Sequence, residues 1–264
     1  MNNQPIPSPL GQGPAPAPAF LSIVQHNCLG SWNVFLSLFE LFREATTYPA
    51  IVLLQDPPVN KAHLPSFTGF KSFFPPVSKP RVAAYVHMSF LSTYTVLPKF
   101  KEVDNVLALD ISSNEALFGT GFHSFRVINA YSTNTVDHRV YSVSPEVLFP
   151  DLGFPLLVIE NLNIHNPLSD PLRNFSYREI ASSTPYFEKA AESGFALLNP
   201  LGEYTRFPLV GKARPSVIDL ALANAPLHPL VKSWEASLPS TGSDHIPITI
   251  TLATPSLNQK HPHP

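Results

Sequence analysis

Along residues 154–167, FPLLVIENLNIHNP, the chain turns abruptly from apolar to polar. Residues 154–159 form a short apolar run with β-branched members, which predicts a strand buried on both faces. The run breaks into Glu160, Asn161, Asn163, His165 and Asn166. A rigid strand that finishes in polar side chains holds functional groups still, although Asn-rich strand ends also serve simply as turns.

The same pattern recurs along the chain. A strand-like run at 21–24 is broken by Gln25, His26 and Asn27, and a buried strand at 50–54 ends in Gln55, Asp56 and Pro57. Strands are predicted at 82–86, 93–97, 107–111 and 125–131, the last finishing in Asn129, Ala130 and Tyr131. Shorter strands follow at 195–198 and 205–207, and residues 249–252 form another after Ser243, Asp244 and His245. Residues 216–223, SVIDLALA, read as a strand with Asp219 in its middle. A charge inside an apolar strand is costly to bury alone, so Asp219 either faces solvent on an edge or has a partner. Apolar residues recur at helical spacing only over 33–45 and 176–193, the second helix expected to bury Ile180, Phe187, Ala190 and Ala191. The Phe- and Pro-rich stretch 70–80 reads as a loop. Many short strands and two convincing helices predict an α/β chain, a two-sheet sandwich with helices outside rather than an alternating doubly wound fold.

Composition narrows the class. Hydrophobic residues at 44% against 14% charged are ample for a core, and a net charge of −2 argues against a strongly basic nucleic-acid binder without excluding a local basic groove. The lone Cys28 rules out an internal disulfide and a cysteine-based zinc site, and fits a reducing, intracellular compartment. No apolar run reaches the roughly 18 residues of a membrane span, so no membrane partner is expected. Residues 1–19, rich in Pro and Ala, read as a disordered arm and 253–264 as a tail, leaving 20–252 as one folded domain.

Five strand ends thus carry Asn27, Asp56, Tyr131, the Asn161/Asn163 pair and Asp244/His245, with Asp219 close in sequence to the last. Carboxylates, amides, a phenol and a His are what metal-assisted phosphodiester cleavage needs. A hard divalent cation takes oxygen ligands, activates water and offsets charge on the phosphorane-like transition state, which His and Asn also stabilise. Each residue has a plainer reading too: Asp56 before Pro57 as a turn, Tyr131 as a core aromatic, Asp244 as a helix cap or surface charge.

In order and spacing, Gln25-His26-Asn27, Leu54-Gln55-Asp56-Pro57, Asn129-Ala130-Tyr131-Ser132, Asn161-Leu162-Asn163, Ser216-Val217-Ile218-Asp219 and Ser243-Asp244-His245 resemble the endonuclease/exonuclease/phosphatase superfamily. The resemblance is closest to the apurinic-type endonuclease domain of fungal non-LTR retrotransposons. It implies a four-layer α/β sandwich, two mostly antiparallel sheets face to face with outer helices. It also implies Mg²⁺- or Mn²⁺-dependent cleavage of DNA that leaves a 3′-hydroxyl to prime reverse transcription, by a monomer working in the nucleus without a small-molecule cofactor. Asn27 and Asp56 fall on metal-site positions, Asp56 where most members have Glu. Tyr131 falls on a phosphate contact, Asn163 on a group orienting phosphate or nucleophile, and Asp219 on the partner of His245. Asp244 falls on an acidic group near the metal or leaving oxygen, and His245 on the stabiliser of the transition state. Arg206 and Arg214, then Lys212 and Arg173, are the favoured DNA phosphate contacts; Lys79 and Arg81 are further loop cations.

One departure bears on activity. Where the family has Gly-Asp, this chain has Glu160-Asn161. An amide cannot take the proton of the attacking water, a role usually worth roughly 10²–10⁴ in rate, and Glu160 is expected to set a bulky charge beside the site. A single G-to-A change accounts for each replacement, and the chain ends just after the endonuclease domain, with no polymerase. Both points favour a decaying copy of a mobile element. The expectation is an impaired endonuclease; the alternatives are a non-catalytic nucleic-acid- or protein-binding module on the same fold, or a phosphatase of small substrates.

Overall fold

The computed structural model describes residues 20–45, 47–60, 63–100, 105–117, 121–132, 143–208, 214–236 and 241–253. The Pro-rich arm, Lys212 and all of the tail except Ala253 lie outside them. Twelve strands are described: β1 (Phe20–Asn27), β2 (Ile51–Gln55), β3 (Phe70–Phe73), β4 (Val82–His87), β5 (Thr95–Phe100), β6 (Val106–Leu117), β7 (Phe122–Tyr131), β8 (Leu156–Asn161), β9 (Phe195–Leu197), β10 (Asp219–Asn224), β11 (Val231–Glu235) and β12 (Ile248–Ala253). They form two six-stranded sheets, β11-β12-β1-β2-β4-β3 and β5-β6-β7-β8-β10-β9. Each sheet has one parallel pair at its centre, β1 with β2 and β7 with β8, and is otherwise antiparallel.

Side-chain alternation along the strands generates the layers. Leu21 and Ile23 of β1, Ile51 and Leu53 of β2, Phe125 and Val127 of β7, and Leu157 and Ile159 of β8 meet in one core between the sheets. The intervening residues face outward. Val24, Val52, Leu54, Ala83 and Tyr85 pack under helix α1 (Trp32–Glu44), whose Val34, Phe35, Leu38, Phe39 and Phe42 form the buried stripe. On the far side, Ile128, Val158, Leu220 and Leu222 pack with Leu148 of α3 (Pro145–Leu148) and with Tyr186 and Ala190 of α4 (Tyr177–Glu192). Three apolar interfaces between four layers make the sandwich that the strand-rich pattern predicts. Burying each large apolar side chain contributes about 1.5–3 kcal/mol. A further helical turn, α2 (Met88–Leu91), follows β4. Among the described residues no helix is long and apolar enough to cross a membrane.

Several elements differ from the sequence reading. The expected loop at 70–80 opens with edge strand β3, which pairs on one side only, with β4, before Pro75 and Pro76 end it. β11 is the edge strand of the same sheet, and its VKSWE carries too weak an apolar face to announce itself. The expected strand at 205–207 is reduced to isolated bridges from Arg206 to Ser216 and His245. Asp219, expected in mid-strand, is the first residue of β10. In α4 the buried stripe is Ser183, Tyr186 and Ala190, which keeps Ala190 of the expected set and replaces the rest. Ile180 and Ala191 are exposed and Phe187 is half-buried. Ser176 caps this helix through a reciprocal capping box with Glu179.

β8 is buried along its whole length, as its apolar run predicts. Its register corrects the expectation for Glu160. Glu160 lies in one row with Ala130 of β7 and Leu220 of β10, both members of the outer core. Its side chain therefore faces the outer layer, away from the row that carries Asn161. Nor does position 160 require glycine, since its φ is not among the positive values. Burial pushes the Glu160 carboxyl from an ordinary 4.5 up to about 8. Between those values the folded chain keeps a proton that the unfolded chain gives up, so stability falls as pH rises through this window. At 1.36 kcal/mol per pH unit the loss by pH 7 is on the order of 3 kcal/mol. Urea unfolding of the native chain and of Glu160→Gln should therefore diverge with rising pH, the variant being the more stable near neutrality and little different near the ordinary carboxylate range. Parallel stability curves for the two would sink this account of Glu160.

Candidate active site at the polar end of the sandwich

At one end of the sandwich the interior-facing positions cease to be apolar. After Leu21 and Ile23 come Gln25 and Asn27; after Leu53, Gln55; after Val127, Asn129 and Tyr131; after Ile159, Asn161. β10 runs the other way and begins with Asp219. Tyr131, Asn161 and Asp219 stand in register as a row across β7, β8 and β10.

These groups are wired across the two sheets. Asn129 of the second sheet donates through Nδ2 to the carbonyls of Leu54 and Ala83 in the first, each at 3.0 Å. Its Oδ1 accepts from Gln55 Nε2 at 2.7 Å. Gln25 Nε2 donates to Gln55 Oε1 at 2.8 Å and crosses to Asp219 Oδ1 at 3.1 Å. Asp219 thus has partners, and its second oxygen meets His245 Nδ1 at 2.8 Å with both side chains buried. Thr205 Oγ1 accepts from the amides of Ile218 and Asp219, fixing where β10 begins.

His245 arrives on a short loop. Ser243 Oγ donates to the carbonyl of Asn27 and accepts from the amide of His245. Phe207 N donates to Asp244 O, and Ile246 N to Thr205 O. Burial works against charge on His245, but the Asp219 charge, its hydrogen bond and the nearby Asp244 prevail over it and over Arg206, raising the imidazole pKa above its usual value. Nε2 lies 3.6 Å from Asp244 Oδ1, while Arg206 Nε donates to Asp244 Oδ2 at 2.8 Å. The Asn161 amide nitrogen is 3.3 Å from His245 Nδ1, and its Oδ1 is buried with no hydrogen-bond partner among the described residues.

Asn163 sits just past the strand with φ 55° and donates to the Ser132 carbonyl at 2.9 Å, leaving its second N–H uncommitted by that bond. Tyr131 is buried, and burial together with Asp56 raises its phenol above the usual range against the opposing effect of Arg81. Asp56 has φ 43° and lies 3.2 Å from Arg81 Nη1, whose guanidinium stacks over the Tyr131 ring at 4.8 Å. Burial raises the Asp56 pKa, with Arg81 opposing.

Tyr131, Asn161, Asp219, Asp244 and His245 are therefore brought together, with Asn163 beside Ser132 and Asn27 tied to the His245 loop through Ser243. Arg214 is exposed, and Arg206 is partly exposed at the rim. Arg173 donates to Glu179 at 2.6 Å and meets His165 Nδ1 at 2.6 Å, so much of its charge is answered locally. Burial, then Arg173, depresses His165 to about 4. Sequence reasoning gave no role to Gln25, Gln55 or Asn129; their signal is an amide at an interior-facing position of an apolar strand. It saw Arg81 only as a loop cation, because its partner Asp56 is distant in sequence.

The divalent cation implied by the motifs is not matched by this donor set. Among the described residues no group of three or more His, Cys, Asp and Glu side chains is placed to hold a metal. Asn27 Oδ1 accepts from the amide of Leu29 at 2.9 Å, Asp56 faces Arg81, and Asp244 is bonded to Arg206. Asn27 Oδ1 and one oxygen each of Asp56 and Asp244 are thus engaged by other groups of the chain, while Asp244 Oδ1 is buried with no hydrogen-bond partner among the described residues.

No family model and no curated protein sequence matches the chain. Solved structures do. The endonuclease domain of TRAS1, a telomere-specific non-LTR retrotransposon, is similar with a TM-score of 0.63 and 16% identity, over 88% of this chain and 98% of that one. The AP endonuclease LMAP of Leishmania major gives 0.67 and 14% over 90% and 89%. The 3′-5′ exonuclease NExo of Neisseria meningitidis gives 0.61 and 16% over 88% and 100%. At such identities the likeness speaks for the fold, and the chain has the four-layer α/β sandwich of the endonuclease/exonuclease/phosphatase superfamily.

Proposed function

We propose that the chain is a retrotransposon-type DNA endonuclease domain whose hydrolytic turnover is lost or strongly reduced. The observation that carries this reading is the buried row of Tyr131, Asn161 and Asp219 closed by His245, with a neutral amide at its centre. The scissile group is a DNA phosphodiester. His245, its protonated form favoured by Asp219, offers Nε2–H to the oxygen that gains charge in the transition state. Tyr131, whose phenol stays protonated, donates to a second phosphate oxygen, and Asn163 orients the group through its remaining N–H. Asn161 Oδ1 accepts a hydrogen bond from the attacking water and so aligns it, but an amide does not keep the proton. A divalent cation in such sites would activate water and offset phosphate charge; here Asn27 and one oxygen each of Asp56 and Asp244 are engaged by the chain itself, and the residue roles above do not depend on it. Two groups that drive turnover in the family pattern are thus compromised: position 161 lacks a base, and the expected metal ligands Asn27 and Asp56 face other groups of the chain. The same two observations favour the second reading, a non-catalytic module that binds DNA or a protein.

Nicking of supercoiled plasmid in Mg²⁺ and in Mn²⁺ tests this. The native chain should stay near background, with Asn161→Asp faster by about 10² or more. Comparable nicking by the two forms would show that Asn161 does not stand at the base position. If neither nicks while DNA is bound, the module reading replaces the enzyme; absence of DNA binding removes both DNA readings.

Arg206 and Arg214 remain the leading phosphate contacts, ahead of Lys212 and the locally neutralised Arg173. Arg214 is exposed, so Arg214→Gln should lower the slope of log affinity against log salt by about 0.9 if it neutralises one phosphate of a duplex. Arg206→Gln should cost more, because it also leaves Asp244 Oδ2 without its 2.8 Å partner. Slopes unchanged by both substitutions would reject these contacts.

A further inference from the structure

Arg81 immediately precedes β4 at the edge of the site. Three contacts hold it. Its carbonyl accepts from the amide of Asp56 at 2.8 Å, its Nη1 lies 3.2 Å from Asp56 Oδ1, and its guanidinium covers the Tyr131 ring at 4.8 Å. One fixed cation is thus set between the carboxylate at the expected metal position and the phenol at the expected phosphate contact. Arg81 Nε is buried with no hydrogen-bond partner among the described residues. Beside the pair opens a cavity of about 440 Å³ whose walls include Pro57, Ser78, Lys79 and Pro80, so a second cation and a hydroxyl face the same space.

A hard divalent cation requires about six oxygen ligands. At Asp56 it would find one carboxylate already facing a guanidinium, and two positive centres at contact distance repel each other. Arginine's planar fork, by contrast, suits a phosphate and needs no further ligands. We propose that Arg81 is the resident cation of this site, standing where a divalent metal would otherwise sit at Asp56 and, with Lys79, holding a phosphate group without metal. That the phosphate belongs to DNA rests on the function proposed above; that Arg81 excludes the metal does not.

Two measurements separate these statements. The first is Mn²⁺ binding to the full chain, followed by electron paramagnetic resonance without DNA. The native chain should bind Mn²⁺ no more tightly than Asp56→Asn. Arg81→Gln should gain a site at least about tenfold tighter, lost again in Arg81→Gln with Asp56→Asn. Arg81→Lys, which keeps the charge, should resemble the native chain and guards against misfolding of the Gln variant. An Asp56-dependent Mn²⁺ site in the native chain, or no gain in Arg81→Gln with folding confirmed by its melting curve, overturns the cation role. The second is fluorescence anisotropy of a labelled DNA duplex in EDTA and in Mg²⁺ at matched ionic strength. Native affinity should be the same in both within about twofold, and Arg81→Gln should bind about tenfold more weakly in EDTA. Native binding that requires Mg²⁺ overturns the phosphate role. No DNA binding by any form rejects the DNA function and the phosphate role together, while the Mn²⁺ result still decides the cation role.

Discussion

Amides and carboxylates placed in the space between two sheets must find partners there, because each buried polar group left alone costs about 1–3 kcal/mol. The architecture of this protein answers that constraint with bonds from one sheet to the other. Asn129 reaches across to two main-chain carbonyls, Gln55 reaches back to Asn129, and Gln25 links Gln55 to Asp219. The sheets are thereby joined by apolar packing over most of their area and by a hydrogen-bonded chain at one end. Asp219, at the end of that chain, is oriented before any substrate arrives, and so is His245. The interactions that make the polar end foldable also preorganise it.

The same wiring explains why an amide at position 161 is structurally tolerable. Asp219 already provides the carboxylate that His245 needs, and Asn161 stands in the same row with its amide beside the same ring nitrogen. A carboxylate at 161 would place two acids around one imidazole, and neighbouring like charges make it harder for both to ionise. Asn has nearly the shape of Asp and avoids that repulsion. Asn161 therefore fits the row without disturbing the packing around it.

Much of this was legible from hydrophobic patterning. Strands with an apolar face that ends in polar residues produced the sandwich, its core and most of the residues that converge. What escaped has specific physical causes. β3 and β11 are edge strands, where half-exposed residues blur the alternation. Register decides faces, and a shift of one residue separates Glu160, buried against the outer layer, from Asn161 in the site. Asp219 left two readings open because its partner, His245, lies 26 residues away and the approach depends on a loop. The stripe of α4 rotated because Ser183 is drawn inward by a 2.7 Å bond from Asn166, which apolar periodicity does not register.

Asp56 joins backbone and chemistry. Its φ of 43°, like that of Asn163 at 55°, lies in the left-handed region, which Asp and Asn enter more readily than most residues. The conformation is pinned by its amide to the Arg81 carbonyl and by its own carbonyl, which accepts from Gly30 at 2.7 Å. A residue at this joint therefore ties the ends of β1, β2 and β4 together before it does anything else. A short carboxylate suits that backbone, and its charge is then answered by the residue its own amide already binds. The short acid and the arginine beside it follow from one local geometry: the turn that selects Asp also delivers its counter-ion.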